Sequence, residues 1–81
     1  SKDHVDPGKL APDLFLYAAE QMGFAPSDCV VIEDSAPGVQ GAMEAGMRVL
    51  GFAPNGDPKG LSDLGAEVFP SMAEVPTMLG F

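Results

Sequence analysis

Basic residues, cysteine and long apolar runs are all scarce in this sequence. Four Lys and Arg residues stand against twelve Asp and Glu residues, giving a formal net charge of −8, so we expect neither nucleic acid nor an anionic membrane as a partner. The single cysteine, Cys29, cannot form an internal disulfide, which favours a reducing compartment and a cytoplasmic location. No apolar run approaches the roughly 20 residues of a transmembrane helix.

The 81 residues are enough for one small unit, with no repeat and no low-complexity tract. The first four residues, SKDH, are polar and lack Met, so they do not resemble a signal peptide. We therefore expect residues 1–81 to form part of one domain of a longer protein.

Glycine and proline divide the chain into alternating helical and strand patterns. An apolar stripe at three- and four-residue spacing precedes Gly23, and apolar runs follow the loops. The predicted elements are a helix at 12–22, a strand at 29–33, a helix at 37–45, a strand at 47–52, a helical turn at 61–64, a strand at 67–69 and a weak helix at 72–79. This alternation predicts an α/β fold with about three parallel strands, half of a doubly wound, Rossmann-like sheet with an uncovered face or edge.

The run from Cys29 to Ile32 is followed by two adjacent acids, Glu33 and Asp34. The run is short and β-branched, which predicts a strand buried on both faces. Ligands bind outside the carboxyl ends of parallel strands, and paired carboxylates suit Mg²⁺. Ser35 is the expected N-cap of the next helix, with Val39, Ala42 and Met43 facing inward.

Two motifs together resemble those of the haloacid dehalogenase-like hydrolases, in the phosphatase and phosphoglucomutase branch. The first is Gly8-Lys9-Leu10-Ala11-Pro12-Asp13, ahead of an amphipathic helix. The second is Val30-Val31-Ile32-Glu33-Asp34-Ser35, followed by Gly38-Val39 and Ala45-Gly46-Met47. The resemblance covers roughly residues 3–75 and implies the C-terminal part of that family's core domain.

The resemblance implies a role for three residues. Lys9 matches the family lysine that holds the phosphoryl group and the nucleophilic aspartate, and Glu33 and Asp34 match the acids that bind Mg²⁺ directly or through water. Such a site suits phosphoryl transfer, because an ammonium and a divalent cation stabilise the spread negative charge. Lys9 and Asp34 are therefore the candidate catalytic residues.

The sequence departs from the family pattern in three ways. Leu10 stands where the family usually has Pro, and the order after the acids is Ser-Ala-Pro-Gly rather than Ser-Pro-small-Gly. No two aspartates lie two positions apart, so the family's nucleophilic Asp-x-Asp motif is absent. We expect that motif, the phosphate-binding Ser or Thr and the cap to lie in an N-terminal remainder of the parent chain, and residues 1–81 alone to be inactive.

The expected function is that of a Mg²⁺-dependent phosphatase acting on a small phosphorylated metabolite, such as a sugar phosphate, through an aspartyl-phosphate. A sugar-phosphate mutase and a non-catalytic α/β binding module remain as alternatives. On the plainer interpretation, Glu33 and Asp34 are solvated acids at a strand end and Lys9 is a solvated loop lysine. The one histidine, His4, is taken as a surface residue and Cys29 as a buried apolar one.

Overall fold

The computed structural model describes residues 12–81, which contain three helices and three strands. In chain order these elements are α1 (Asp13–Met22), β1 (Val30–Glu33), α2 (Ala36–Glu44), β2 (Arg48–Phe52), β3 (Glu67–Phe69) and α3 (Val75–Met78). Single 3₁₀ turns occupy Pro26–Asp28, Ser62–Leu64 and Met72–Glu74. The predicted order is confirmed, and the predicted weak last helix is a 3₁₀ turn continued by α3.

The three strands form one parallel sheet in the order β1-β2-β3. Ile32 of β1 pairs with Leu50 of β2, and Leu50 also pairs with Glu67 of β3. The helix α2 makes the crossover from β1 to β2, as parallel pairing requires. The predicted α/β class is confirmed, and the carboxyl ends of all three strands lie at the same edge.

The core lies between α2 and the sheet, with a smaller cluster between α1 and α2. Val39 and Ala42 of α2 are fully buried, as predicted. The larger cluster consists of Val39, Ala42, Val49, Leu61 and Ala66, and the smaller one of Ala19, Ala45 and Met47. This packing fixes α2 against the strands, so the loop that joins β1 to α2 has a defined position.

The prediction that β1 is buried on both faces is wrong. Val30 is 42% exposed and Ile32 is 44% exposed, whereas Val31 packs against the core. Val30 and Ile32 alternate with Val31 along the strand, so they lie on the opposite face of the sheet, and no described helix covers that face at β1. The expected uncovered face or edge is thus present at β1.

Two side chains predicted to be buried are also more exposed than expected. Met43 is 38% exposed, because its side chain extends past the core towards Gly65 at the surface. Cys29 is half-buried and its Sγ donates to the carbonyl of Ala25 at 3.5 Å. Neither residue belongs to the clusters of buried side chains.

The three described helices are short. Pro76 lies in the first turn of α3, where its missing N–H costs no hydrogen bond, so it starts this helix rather than interrupting it. The longest helix, α1, has ten residues. Between residues 12 and 81 no helix has both the length and the apolarity needed to cross a membrane.

Candidate functional site

The candidate site lies at the carboxyl edge of the sheet, around Asp34. Glu33 is the last residue of β1, and Asp34 is the first residue of the loop that leads to α2. Asp34 lines a cavity of about 210 Å³ together with the loop after β2, and a smaller one of about 130 Å³ beside Glu33 and Met72. The two predicted acids are therefore together at the concave edge where ligands of parallel sheets bind.

The carboxylate of Glu33 organises the turn after β1. Its Oε1 accepts hydrogen bonds from the backbone N–H of Asp34 at 3.0 Å, the N–H of Ser35 at 3.2 Å and the hydroxyl of Ser35 at 3.1 Å. Oε2 takes part in none of these bonds. Oε1 of Glu33 thus holds the backbone of the turn. The family resemblance, which rests on residue types, did not predict this structural role.

Ser35 links this turn to the start of α2. Its Oγ accepts a hydrogen bond from the N–H of Gly38 at 3.1 Å, which confirms the predicted N-cap. The same Oγ donates to Glu33, so the hydroxyl uses both its donor and an acceptor position. The turn and the first turn of the helix are therefore joined by one continuous chain of hydrogen bonds.

Gly38 lets the Glu33 side chain lie against α2. A Cβ built at this position would overlap the carboxyl end and the Cγ of Glu33. The backbone of Gly38 is helical and not left-handed, so its conformation does not require glycine. The glycine is needed because it has no Cβ and so permits the close approach of Glu33. Gly38 is thus coupled to Glu33 across the turn.

We expect Gly38→Ala to destabilise the fold by about 1–2 kcal/mol, because Glu33 must leave the turn and give up its hydrogen bonds. In a Glu33→Ala background the same change should instead stabilise by about 0.5–1 kcal/mol, since Ala is the better helix former. Urea or thermal unfolding of the four proteins of this double-mutant cycle measures both values. An equal effect of Gly38→Ala in the two backgrounds would refute the coupling.

The backbone of Asp34 is held, whereas its carboxylate is exposed. Its N–H donates to Glu33, and its carbonyl accepts a hydrogen bond from Nζ of Lys59 at 3.0 Å. Among residues 12–81 the Asp34 carboxylate has no hydrogen-bond or ion-pair partner. The described part of the site therefore fixes the backbone of Asp34 and leaves its carboxylate exposed.

Lys59 is the site residue that sequence analysis missed. It lies 25 positions from Asp34, on the loop after β2. Its position after a predicted strand could have indicated Lys59, because the loop that follows a neighbouring parallel strand begins at the same edge of the sheet as Asp34. No spacing pattern connects the two residues.

Asp57 anchors the loop that carries Lys59. Its Oδ1 accepts from the N–H of Leu61 at 2.8 Å, and its Oδ2 accepts from the N–H of Ser62 at 3.0 Å and the hydroxyl of Ser62 at 2.9 Å. The backbone N–H of Ser62, followed by that of Leu61, lowers the pKa of this carboxyl. Because the pKa of Asp57 is depressed in the folded protein, its hydrogen bonds stabilise the loop at pH values above the carboxyl's usual pKa. This stabilisation is lost as the pH falls through the depressed pKa.

The donor set suits a hard cation but is incomplete within the described residues. Asp34 supplies an exposed carboxylate, and Glu33 retains Oε2, which are oxygen ligands of the type Mg²⁺ prefers. No group of three or more His, Cys, Asp or Glu residues in the 12–81 segment is placed to hold a metal ion. Within the described residues, the two acids therefore offer at most part of the ligand set that a Mg²⁺ ion would need.

The remaining predicted residues lie away from the site or outside the described range. Lys9 and His4 lie outside residues 12–81. Arg48, predicted as a surface charge, is exposed at the amino ends of the strands, opposite the site. Its Nε lies 2.6 Å from Oε2 of Glu67. The exposure of both partners makes this pair a small contributor to stability.

A family model described as haloacid dehalogenase-like hydrolase matches residues 1–46. The chain is 53% identical over 48 residues to fructose-1-phosphate phosphatase YqaB of Escherichia coli, covering 59% of this chain and 26% of that protein. It is 50% identical over 48 residues to a bifunctional riboflavin kinase/FMN phosphatase of Arabidopsis thaliana, covering 59% and 13%. Beta-phosphoglucomutase of Bacillus subtilis is 40% identical over 65 residues, covering 74% and 28%.

Solved structures match nearly the whole chain. A haloacid dehalogenase-like protein of Agrobacterium tumefaciens superposes with a TM-score of 0.77 at 41% identity, covering 98% of this chain and 37% of that one. A HAD family hydrolase of Deinococcus radiodurans, solved with bound phosphate and sodium, gives 0.76 at 38% identity, covering 93% and 38%. The chain thus spans between an eighth and two fifths of the lengths of these five proteins.

Proposed function

Because the chain belongs to the haloacid dehalogenase-like hydrolases, we propose that it supplies the metal-binding acids and the phosphate-binding lysine of a Mg²⁺-dependent phosphatase. The observation that carries this proposal is the exposed carboxylate of Asp34, which has no hydrogen-bond partner among residues 12–81, on a backbone held at both its N–H and its carbonyl. Because the backbone is already held, cation binding would have to order only the side chain of Asp34. Asp34 would hold the metal through its carboxylate, and Glu33, which holds the turn, would bind the metal or its water with the remaining oxygen.

The bound Mg²⁺ would supply a positive charge that offsets the repulsion between a carboxylate nucleophile and the phosphate. Lys9, as a compact ammonium, contacts the phosphoryl oxygens and stabilises the charge spread over them during transfer. The spacing of 24 positions between Lys9 and Glu33 supports this pairing of roles, since it is the spacing of the family's two motifs. The lysine and the acids thus stabilise the same transferring group.

The nucleophile must come from another segment, because no two aspartates of this sequence lie two positions apart. We propose that an Asp-x-Asp segment precedes this chain in the active protein. Its first carboxylate attacks phosphorus and releases the substrate's alcohol, and water then hydrolyses the aspartyl-phosphate to give inorganic phosphate. Glu33 and Asp34 do not take this part, since both are committed to the turn and the metal.

The proposed substrate class is a small phosphorylated metabolite. Support comes from relatives named as phosphatases of fructose 1-phosphate, FMN and hexitols. A sugar-phosphate mutase is the second candidate, favoured by the 40% identity to a beta-phosphoglucomutase.

The half-buried, unpaired thiol of Cys29 suits a reducing compartment, and we place the enzyme in the cytoplasm.

The test is phosphate release from a panel of sugar phosphates, FMN and a generic phosphate ester, with and without Mg²⁺. Residues 1–81 alone should show no turnover above background, whereas a protein that joins them to an Asp-x-Asp segment should release phosphate only with Mg²⁺. Isomerised sugar phosphate without phosphate release would favour the mutase. Absence of both reactions in the joined protein would leave the non-catalytic module and refute the proposal.

A further inference from the structure

Lys59 places a positive charge next to the proposed metal ligand. Among residues 12–81 the lysine and arginine side chains are Arg48 and Lys59, and Arg48 is paired with Glu67. Lys59 donates to the carbonyl of Asp34 rather than to a carboxylate. An ammonium that binds backbone beside a cation site calls for an explanation, because its charge opposes cation binding.

The loop of residues 53–60 is fixed on the C-terminal side of Lys59. Asp57 binds the N–H groups of Leu61 and Ser62, and the Leu61 side chain is 1% exposed in the core. Gly60 has a φ of 67°, in the left-handed region that glycine adopts readily. Lys59 therefore extends from an anchored segment towards Asp34.

The carbonyl of Asp34 and the N–H of Ser35 belong to the same peptide plane. Lys59 binds the carbonyl at 3.0 Å, and Glu33 accepts from the N–H at 3.2 Å. The plane is therefore held at both ends, by a side chain from the end of β1 and by one from the loop after β2. The orientation of this plane sets the direction in which the Asp34 side chain leaves the backbone.

We propose that Lys59 is a positioning residue for the metal site, which fixes the peptide between Asp34 and Ser35 so that the Asp34 carboxylate is directed at the cation. This inference rests on the proposed function, since it assumes that Asp34 binds a metal. The hydrogen bond and the charge of Lys59 predict opposite changes in cation affinity when the residue is replaced. Loss of the charge alone strengthens cation binding, whereas loss of the hydrogen bond weakens it.

The experiment measures Mg²⁺ affinity by titration calorimetry in the whole protein that carries this chain. Lys59→Met should weaken binding about tenfold, as is typical when a group that orients a metal ligand is removed. Lys59→Arg should restore most of the affinity, because it keeps a charged donor. Gln21→Glu, at an exposed position of α1, makes the same change in net charge away from the site and should not weaken binding.

A second measurement needs no metal. Amide hydrogen exchange at Ser35 should be faster in metal-free Lys59→Met than in the wild type, and unchanged in Gln21→Glu. Unchanged or tighter Mg²⁺ binding by Lys59→Met, or unaltered exchange at Ser35, would overturn the inference. If Asp34→Asn also keeps full Mg²⁺ affinity, the proposed function itself fails; if only Lys59→Met does, the positioning role fails alone.

Discussion

Asp34→Asn should reduce Mg²⁺-dependent turnover roughly 10³-fold in a protein that joins this chain to an Asp-x-Asp segment, because a metal contributes several kcal/mol of charge stabilisation. The amide keeps the size of the side chain and loses the anionic ligand. The fold should be unaffected, since the carboxylate is exposed and no group among residues 12–81 contacts it through a hydrogen bond. Initial rates over a Mg²⁺ titration measure the loss, and thermal unfolding checks the fold.

Asp63→Asn is the matched control for this prediction. Asp63 is an exposed acid in the 3₁₀ turn Ser62–Leu64, and its replacement changes the net charge by the same amount. It should keep wild-type turnover at every Mg²⁺ concentration. Near-wild-type turnover of Asp34→Asn at limiting Mg²⁺ would remove Asp34 from the metal site.

Lys9→Ala should lower turnover about 10²- to 10³-fold, the usual cost of removing one group that stabilises transition-state charge. The loss should be in kcat more than in KM, because the charge on the transferring phosphoryl group is greatest during the reaction. Leu10→Pro should have a mild effect, since Leu10 carries no charge. Steady-state kinetics on one phosphate ester separates the two variants.

Lys2→Ala serves as the second control, because it removes a lysine from the same N-terminal segment without touching the family motif. It should leave kcat unchanged. Full turnover and unaltered phosphate inhibition in Lys9→Ala would show that Lys9 does not bind the phosphoryl group. That result would leave the proposed metal binding by Glu33 and Asp34 untouched.

The order of elements was predictable because local chemistry marks their ends. Gly23 ends α1 in the left-handed conformation with φ 78°, and Ser35 caps α2, and both signals act within a few residues. The burial of β1 was not predictable in this way. Four consecutive apolar residues predict a strand with two covered faces, but what covers a face is decided by segments distant in sequence.

The position of the two acids at the carboxyl end of β1 was predictable, whereas the difference between their contacts was not. Glu33 and Asp34 are alike in the sequence, yet Oε1 of Glu33 binds the turn while the Asp34 carboxylate is exposed. Gly38 and Lys59 decide this difference through contacts to a side chain and to a backbone carbonyl. Such contacts leave no periodic pattern, so they become visible only in three dimensions.

Strands that are neighbours in the sheet are also neighbours along the chain, and this order shapes the folding kinetics. Val30 pairs with Arg48, a separation of 18 residues, and Leu50 pairs with Glu67, a separation of 17. Loop-closure entropy depends only on the logarithm of loop length, so the two pairing steps cost nearly the same. Both pairings are long-range contacts, and parallel pairing of this kind forms more slowly than the local contacts of helices. The sheet can therefore grow one strand at a time, and a strand arriving at the outer side of β1 would join without breaking any pair already formed.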